Sequence, residues 1–244
     1  MFPRLKKLVL RSEHASLDVD LRYAPVLRHL REHAIEENIL EVGSGDLGLA
    51  AYVPTPVVAV DLAFSSAHLA NQRAVVARGK LPFRDRSFEI AVSLDALEHV
   101  PRESRQEFVN ELIRVARRWV FIGVPEGEFA RRHDLAMERY LEGHAGEPLN
   151  FLVEHRVHSI PLIGEVEEYI AGAGKAGGRH SRVERTDNVN IVLRELFIRL
   201  AWHRSAWMHR LYTALGILSH LDRLFTFGKC YRGIYRLELH DPAK

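Results

Sequence analysis

The stretch Ile39-Leu40-Glu41-Val42-Gly43-Ser44-Gly45-Asp46-Leu47-Gly48 combines an apolar run with closely spaced glycines. Residues 39–42 predict a short buried strand, and the glycines that follow predict a tight turn leading into a helix. Glycines at such a turn let the backbone approach a ligand, and helix N-terminal amides favour an anionic or polar group there. This stretch therefore predicts a strand, turn and helix with a ligand at the turn.

Apolar segments on both sides of this unit predict further strands and helices. Strands are predicted at 57–60 (ending at Asp61), weakly at 74–77, and at 89–94 and 119–122. Helices are predicted at 21–34, 65–73 and 103–116. Strands that are nearly all apolar and alternate with helices are typical of a parallel sheet covered on both faces. The sequence therefore predicts an α/β fold.

The second half of the chain has a looser pattern. Residues 126–160 predict surface helix and loop, 165–171 predicts a helix, and the glycine-rich run 172–178 predicts a flexible turn. Late strands are predicted at 182–185 and 231–240. Residues 191–227 between them predict two helices broken near Gly216.

Composition narrows the class of protein. The chain has 244 residues, 47% hydrophobic and 27% charged, with a net charge of +2, which favours one folded domain and gives no general electrostatic case for nucleic-acid binding. A single cysteine, Cys230, excludes an internal disulfide framework and a cysteine-based zinc site. The apolar run Leu8–Leu10 is too short for a signal-peptide core. The expected location is cytoplasmic.

The C-terminal part is more basic than the whole. From Asn190 to the end there are nine Lys or Arg and four acids, interleaved with apolar and aromatic residues. This pattern suits a peripheral contact of 191–227 with an anionic membrane or a protein partner. The alternative is a helical cap packed on the domain, because most amphipathic helices cover a core.

Two acids near the glycine turn indicate the kind of ligand. Asp61, at the end of the second strand, is placed to accept hydrogen bonds from both ribose hydroxyls of an adenosine-containing cofactor, whether a nicotinamide or a sulfonium one. Glu41, two residues before Gly43, suits a cofactor with a cationic amino-acid end and would repel a pyrophosphate. A sulfonium nucleoside is therefore favoured.

Four motifs in order make the sequence resemble class I S-adenosylmethionine-dependent methyltransferases, in particular the methyltransferase type 11 group. They are Ile39-Leu40-Glu41-Val42-Gly43-Ser44-Gly45, Val60-Asp61, Leu81-Pro82-Phe83-Arg84-Asp85-Arg86-Ser87-Phe88-Glu89 and Ser93-Leu94-Asp95-Ala96-Leu97-Glu98-His99-Val100. The resemblance implies a Rossmann-like, seven-stranded, mostly parallel sheet of order 3-2-1-4-5-7-6, with strand 7 antiparallel and helices on both faces. It also implies S-adenosyl-L-methionine as cofactor, bound across the carboxyl ends of strands one, two and four.

The same resemblance divides a single domain of residues 1–244 into parts. These are a cofactor-binding core at 20–125, a lid or substrate region at 126–180 and a helical insertion at 191–227 between strands six and seven. The cofactor-binding residues it implies are Glu41, Gly43, Ser44, Gly45, Asp61, Leu62, Gly79, Lys80, Leu81 and Asp95. Where relatives often carry an acid for adenine, this chain has Ala77-Arg78-Gly79-Lys80. Backbone groups there and apolar contacts such as Leu62 are expected to hold adenine instead.

Methyl transfer needs alignment of the acceptor more than any particular catalytic group. A hydroxyl or amine acceptor also needs a base, and the candidates are His99 or Asp95 after strand four and His155. The bland alternative, which such histidines usually fit, is a structural role in a turn for His99 and in a solvated lid for His155. His155 and His158 are three residues apart with no clear third ligand, so no metal site is expected.

The favoured function is methyl transfer to a small-molecule, lipid or saccharide acceptor. Nucleic acid is a less favoured acceptor, because the chain has neither an Asn-Pro-Pro-Tyr type motif nor a Pro-Cys nucleophile. A short-chain oxidoreductase would need Tyr-x-x-x-Lys, which is absent. A third alternative is a non-catalytic cofactor-binding or membrane- or partner-binding module with this fold.

Overall fold

The strands form one seven-stranded sheet of order β3-β2-β1-β4-β5-β7-β6. The computed structural model describes residues 17–46, 48–64, 72–145, 150–176, 178–203 and 205–240. The strands are β1 Ile39–Val42, β2 Val57–Asp61, β3 Gln72–Val76, β4 Phe88–Leu94, β5 Ala116–Pro125, β6 His180–Asn190 and β7 Cys230–His240. Strands β1 to β5 pair in parallel, and β7 runs antiparallel to both β5 and β6. The Rossmann-like fold and strand order implied by the resemblance are confirmed.

Helices pack on both faces of the sheet. They are α1 Leu17–Glu32, α2 Arg105–Val115, α3 Gly127–Ala145, α4 Asn150–His158, α5 Ile163–Ala176, α6 Ile191–Ala201 and α7 Ala206–Leu215. On one face, α1 packs against the sheet through residues such as Val26 and Leu30. On the other, α2 and α5 do so through residues such as Leu112 and Ile170. Because the central strands are covered on both sides, they read as continuous apolar runs in the sequence.

Three local predictions are wrong. The glycine turn leads only into a short 3-10 helix, Leu49–Ala51, because Pro54 and Pro56 follow too soon for a longer helix. Gly172 and Gly174 lie inside α5 and not in a turn; a side chain at Gly172 would collide with Gln106 of α2, so glycine there allows the two helices to pack closely. Most of the helix predicted at 65–73 lies outside the described residues, but its last two residues belong to β3.

The segment between β6 and β7 packs on the domain. It contains α6, α7 and a 3-10 helix, Gly216–Phe225. The predicted break near Gly216 is present, since α7 ends at Leu215 with Gly216 as its C-cap, and the segment has a further break between α6 and α7. Its inner side forms a core with α1; the buried members are Leu17, Leu21, Val189, Phe197, Leu200, Tyr212 and Phe225. This packing is compatible with a helical cap and leaves the outer side of the segment exposed. Among the described helices, none has the length and apolarity needed to cross a bilayer.

Candidate functional site

The glycine turn after β1 has a backbone that only glycine adopts easily. Gly43, Gly45 and Gly48 have φ angles of 77°, 58° and 47°. A Cβ on Gly43 would overlap the Cβ of Ala96, so the turn lies directly against the chain that follows β4. No described atom lies within 4 Å of the place where a Cβ of Gly45 would be. The turn is therefore closed against β4 and open at Gly45.

Glu41 lies beneath this turn. It is 1% exposed; its Oε1 accepts a hydrogen bond from the Tyr23 hydroxyl at 2.7 Å, and its Oε2 accepts one from the Leu49 amide at 2.6 Å. Burial raises the pKa of Glu41 to about 7, against the lowering effect of these two hydrogen bonds. Glu41 thus ties the chain after the turn to α1 through Leu49 and Tyr23, and its contact with the cationic end of a cofactor remains a prediction.

Asp61 ends β2 beside the turn, as expected from the sequence. Its Oδ2 accepts a hydrogen bond from the Gly45 amide at 2.8 Å, and its Oδ1 accepts one from the Leu62 amide at 2.7 Å. A carboxylate offers about four acceptor positions, so about two remain for the hydroxyls of a ribose. The nearby side chains of Leu62 and Val76 are 58% and 67% exposed and offer apolar contacts. These features fit an adenosine-containing cofactor.

The residues at 79–81, expected to lie near the cofactor, differ in exposure. Gly79 and Lys80 are exposed. Leu81 is buried; its amide donates to Glu111 Oε2 at 2.7 Å, and its carbonyl oxygen accepts from Arg114 at 3.0 Å. The backbone of Leu81 is therefore held by α2, and its contact with the cofactor remains a prediction. Contacts of Gly79 and Lys80 with adenine remain predictions.

Asp95 is part of a buried ion network. Its carboxylate accepts from Arg232 Nε at 2.6 Å and Nη2 at 2.5 Å, and from Arg22 at 3.1 Å. Burial alone would raise the pKa of Asp95, but the positive charges of Arg232 and Arg22 outweigh it and hold the pKa well below its usual range. Asp95 is therefore a poor base, which corrects that candidate role, and a cofactor contact would have to compete with two guanidinium groups.

His99 and His155, the two histidines proposed for catalysis, lie next to each other. His99 is in a 3-10 turn after β4 and His155 is on α4, and their Nε2 atoms are 3.4 Å apart. His99 Nδ1 lies 2.6 Å from Glu154 Oε2, and His155 Nδ1 lies 2.7 Å from Asp134 Oδ2. A carboxylate at Nδ1 favours the tautomer with the proton on Nδ1, which leaves the Nε2 lone pair free.

The carboxylate behind His155 is itself fixed. Asp134 Oδ2 also accepts from the Tyr231 hydroxyl at 3.0 Å, and Arg194 lies 3.8 Å from Oδ1. Although burial raises the pKa of Asp134, its hydrogen bonds with His133 and His155 and the charge of Arg194 lower it well below its usual range. Burial and the neighbouring His155 lower the pKa of His99. Asp134 thus remains a carboxylate that orients His155.

Glu98 is the site residue that the sequence did not single out. It is 0% exposed, and neither carboxylate oxygen has a hydrogen-bond partner among the described residues. Its Oε1 lies 3.7 Å from His155 Nε2. Burial, with a smaller contribution from Asp95, raises the pKa of Glu98 well above its usual value. In the sequence, only the position of Glu98 beside His99 in the motif after β4 indicated that it could belong to the site. No motif in the sequence indicated Asp134.

Comparison with known proteins agrees with this geometry. Residues 40–121 match the family described as a methyltransferase domain. The comparison with curated proteins finds no match for this chain.

Solved structures share the fold at low sequence identity. A chain in the complex of the Haloferax volcanii Trm112 methyltransferase activator with a methyltransferase is 14% identical, with 98% of this chain and 97% of that chain covered and a TM-score of 0.52. The YcgJ protein from Bacillus subtilis is 14% identical, with 89% and 98% covered and a TM-score of 0.51. A chain described as a sarcosine dimethylglycine methyltransferase from Galdieria sulphuraria is 16% identical, with 96% and 97% covered and a TM-score of 0.51. At these identities the likeness establishes the fold alone.

Proposed function

We propose that the protein is an S-adenosyl-L-methionine-dependent methyltransferase that acts on a small-molecule, lipid or saccharide acceptor, a proposal supported by the match of residues 40–121 to the methyltransferase domain family. The observation that carries the proposal is the arrangement of Asp61 beside the open glycine turn. When bound, the cofactor supplies a methyl carbon already activated by a sulfonium charge. The chain then has to bind the cofactor, align the acceptor and remove its proton.

The chain would hold the cofactor at the carboxyl ends of β1 and β2. Asp61 would accept hydrogen bonds from the ribose hydroxyls, and the glycine turn, with Ser44 and Gly45, would allow a close approach of the backbone. Leu62, Gly79 and Lys80 would border the adenine. Glu41 would act mainly by holding the turn through the Leu49 amide.

The acceptor would bind near His99 and His155. Ala96 contacts the glycine turn, and His99 follows three residues later, so the histidine pair lies close to the cofactor side of β4. The carboxylates of Glu154 and Asp134 at the Nδ1 atoms leave each Nε2 available to a proton. We assign removal of the acceptor's proton to this pair, with residues 126–180 forming the substrate region around it.

Replacing His155 with Gln should lower kcat for methyl transfer by about 10²- to 10⁴-fold, the usual contribution of a general base, and leave the KM for the cofactor unchanged. His158→Gln, on the same helix but outside the pair, is the matched control. Transfer of label from S-adenosyl-L-methionine to candidate acceptors would measure both. An unchanged kcat in His155→Gln would refute the catalytic assignment. Cofactor binding with no transfer to any acceptor class would favour the non-catalytic alternative.

The second candidate function is attachment to an anionic membrane through 191–227. It is supported by the outward-facing side chains of this segment: Val192, Leu196, Trp202, Trp207, Leu221, Leu224 and Phe227 are between 42% and 68% exposed. Arg199, Arg210 and Arg223 lie among them in the sequence, and Lys229 follows two residues after Phe227. Apolar and aromatic side chains mixed with cations suit the interface of an anionic bilayer, and each cation contributes about 1 kcal/mol there.

Vesicle cosedimentation would test this candidate. The chain should sediment with phosphatidylserine-containing vesicles, and Trp207→Ser combined with Leu224→Ser should weaken binding at least about tenfold, because both lose apolar contact with the bilayer. Val183→Ser, an exposed apolar position on β6, is the control. Equal sedimentation of the double variant and the control would show that 191–227 is only a cap.

A further inference from the structure

Three hydrogen-bond acceptors converge between β4 and α4. They are the Nε2 atoms of His99 and His155 and the carboxylate of Glu98, and the ligand atoms of these residues all lie within 4.8 Å of one another. Glu98 is completely buried, and neither of its oxygens has a hydrogen-bond partner among the described residues. A buried carboxylate without a partner costs free energy, and either a proton on it or a positive group beside it removes that cost.

Local hydrogen bonds do not supply that positive group. Each histidine directs its Nδ1 to a carboxylate, Glu154 for His99 and Asp134 for His155. In the neutral tautomers this leaves two Nε2 lone pairs facing each other at 3.4 Å. Two acceptors at this distance, with an unpartnered carboxylate beside them, are complementary to a cation.

The distances suit a transition-metal ion. Two nitrogens that each lie about 2.0–2.1 Å from a tetrahedral ion are about 3.3–3.4 Å apart. The Nε2 atoms of His99 and His155 are 3.4 Å apart, and Glu98 Oε1 is 3.7 Å from His155 Nε2. A small shift of the Glu98 side chain would bring one of its oxygens into place as the third ligand. The side chain of His99 is 27% exposed, so the fourth position can face solvent or a substrate.

The groups behind the ligands are those expected around a metal. Histidine ligands commonly donate their second ring N–H to a carboxylate, which fixes the ring and raises its basicity. Both histidines have such a carboxylate here, and the Tyr231 hydroxyl donates to Asp134 at 3.0 Å. Arg194 and His133 contact Oδ1, the other oxygen of Asp134, and Arg194 supplies a positive charge there.

We propose that Glu98, His99 and His155 bind one divalent transition-metal ion, for which two imidazoles and one carboxylate are suitable ligands. This replaces the expectation of no metal, which rested on the spacing of His155 and His158 alone. Binding of the ion is independent of methyl transfer. Its consequence rests on the proposed function. When the ion is bound, the two imidazoles are its ligands and act on the acceptor's proton through the ion, not as free bases: the ion would lower the pKa of an acceptor hydroxyl, and water would take the proton.

Titration of the chelator-treated full chain with Zn²⁺ by calorimetry, and with Co²⁺ by visible absorption, tests the site. One ion per chain should bind, with d–d bands of Co²⁺ that indicate a nitrogen-rich site. Glu98→Gln and His99→Gln should weaken binding at least 100-fold, and Asp134→Asn about 10- to 100-fold. His158→Gln should bind as the unchanged chain does.

The proposal is overturned if the unchanged chain shows no saturable binding of Zn²⁺ or Co²⁺, or if His158→Gln weakens it as much as His99→Gln. Circular dichroism melting identifies any variant that fails to fold; His99→Gln alters a partly exposed side chain and keeps the test decisive if Glu98→Gln unfolds. Metal binding without methyl transfer would remove the proposed function and leave the site. Methyl transfer without metal binding would remove the metal site and leave the proposed function.

Discussion

Replacing Arg232 with Met is expected to lower the free energy of unfolding by about 3–5 kcal/mol, because it removes the bidentate partner of Asp95. The largely buried carboxylates of Asp95 and Asp18 then keep their contacts with Arg22 and Arg194, which are longer than the bonds that Asp95 loses. Arg232 is 1% exposed. Its guanidinium bonds to both oxygens of Asp95, donates to Asn188 at 2.8 Å and lies 3.5 Å from Asp18. Urea unfolding would measure the change, and a loss below about 1 kcal/mol would contradict the importance of this network.

Arg236→Met is the matched control on the same strand. Arg236 pairs with Glu184 where the two side chains are 31% and 40% exposed, so its loss should cost less than about 1 kcal/mol. The two variants should also differ with pH. Arg232 holds the pKa of Asp95 low, so the stability it provides is present above about pH 4 and is lost as the pH falls. The deficit of Arg232→Met should therefore shrink in acid.

Asp61→Ala should weaken binding of S-adenosyl-L-methionine by about 100-fold or more. Hydrogen bonds to a charged group contribute about 1.5–3 kcal/mol each, and losing two such bonds to ribose corresponds to at least this factor. Asp61 also positions the Gly45 amide at 2.8 Å, so the same change loosens the turn. Calorimetric titration measures the affinity.

Asp187→Ala is the control for this variant, because Asp187 is a half-exposed acid on β6 that pairs with Arg185. Its affinity for the cofactor should equal that of the unchanged chain. If Asp61→Ala also kept that affinity, the ribose-binding role would be wrong, and the glycine turn would have to bind the cofactor without it.

The sheet could be predicted because burial on both faces leaves a simple trace in the sequence. β4 has an almost wholly buried run, and its apolar residues were visible without any tertiary information. The helical part was harder, since its breaks depend on packing. Gly172 is a helical residue whose small size fits its packing against Gln106 of α2, and no local pattern reveals such a contact.

The site could be predicted only in part, for the same reason. Asp61 and the glycines are close in the sequence to the strands that place them, so the motifs located them correctly. His99 and His155 are 56 residues apart, and only the fold brings their Nε2 atoms together. Asp95 had the position of a base, but its pKa depends on Arg232, 137 residues away. The protonation of such an acid therefore depends on ion pairs with residues that are distant in the sequence.

The most direct test of the cofactor assignment is a calorimetric titration of the full chain with S-adenosyl-L-methionine and, separately, with NADH. Because Asp61 alone would suit either ribose, the two cofactors must be compared under the same conditions. We expect saturable binding of one S-adenosyl-L-methionine per chain and no heat of binding with NADH. Absence of S-adenosyl-L-methionine binding, or equal binding of NADH, would contradict the assignment.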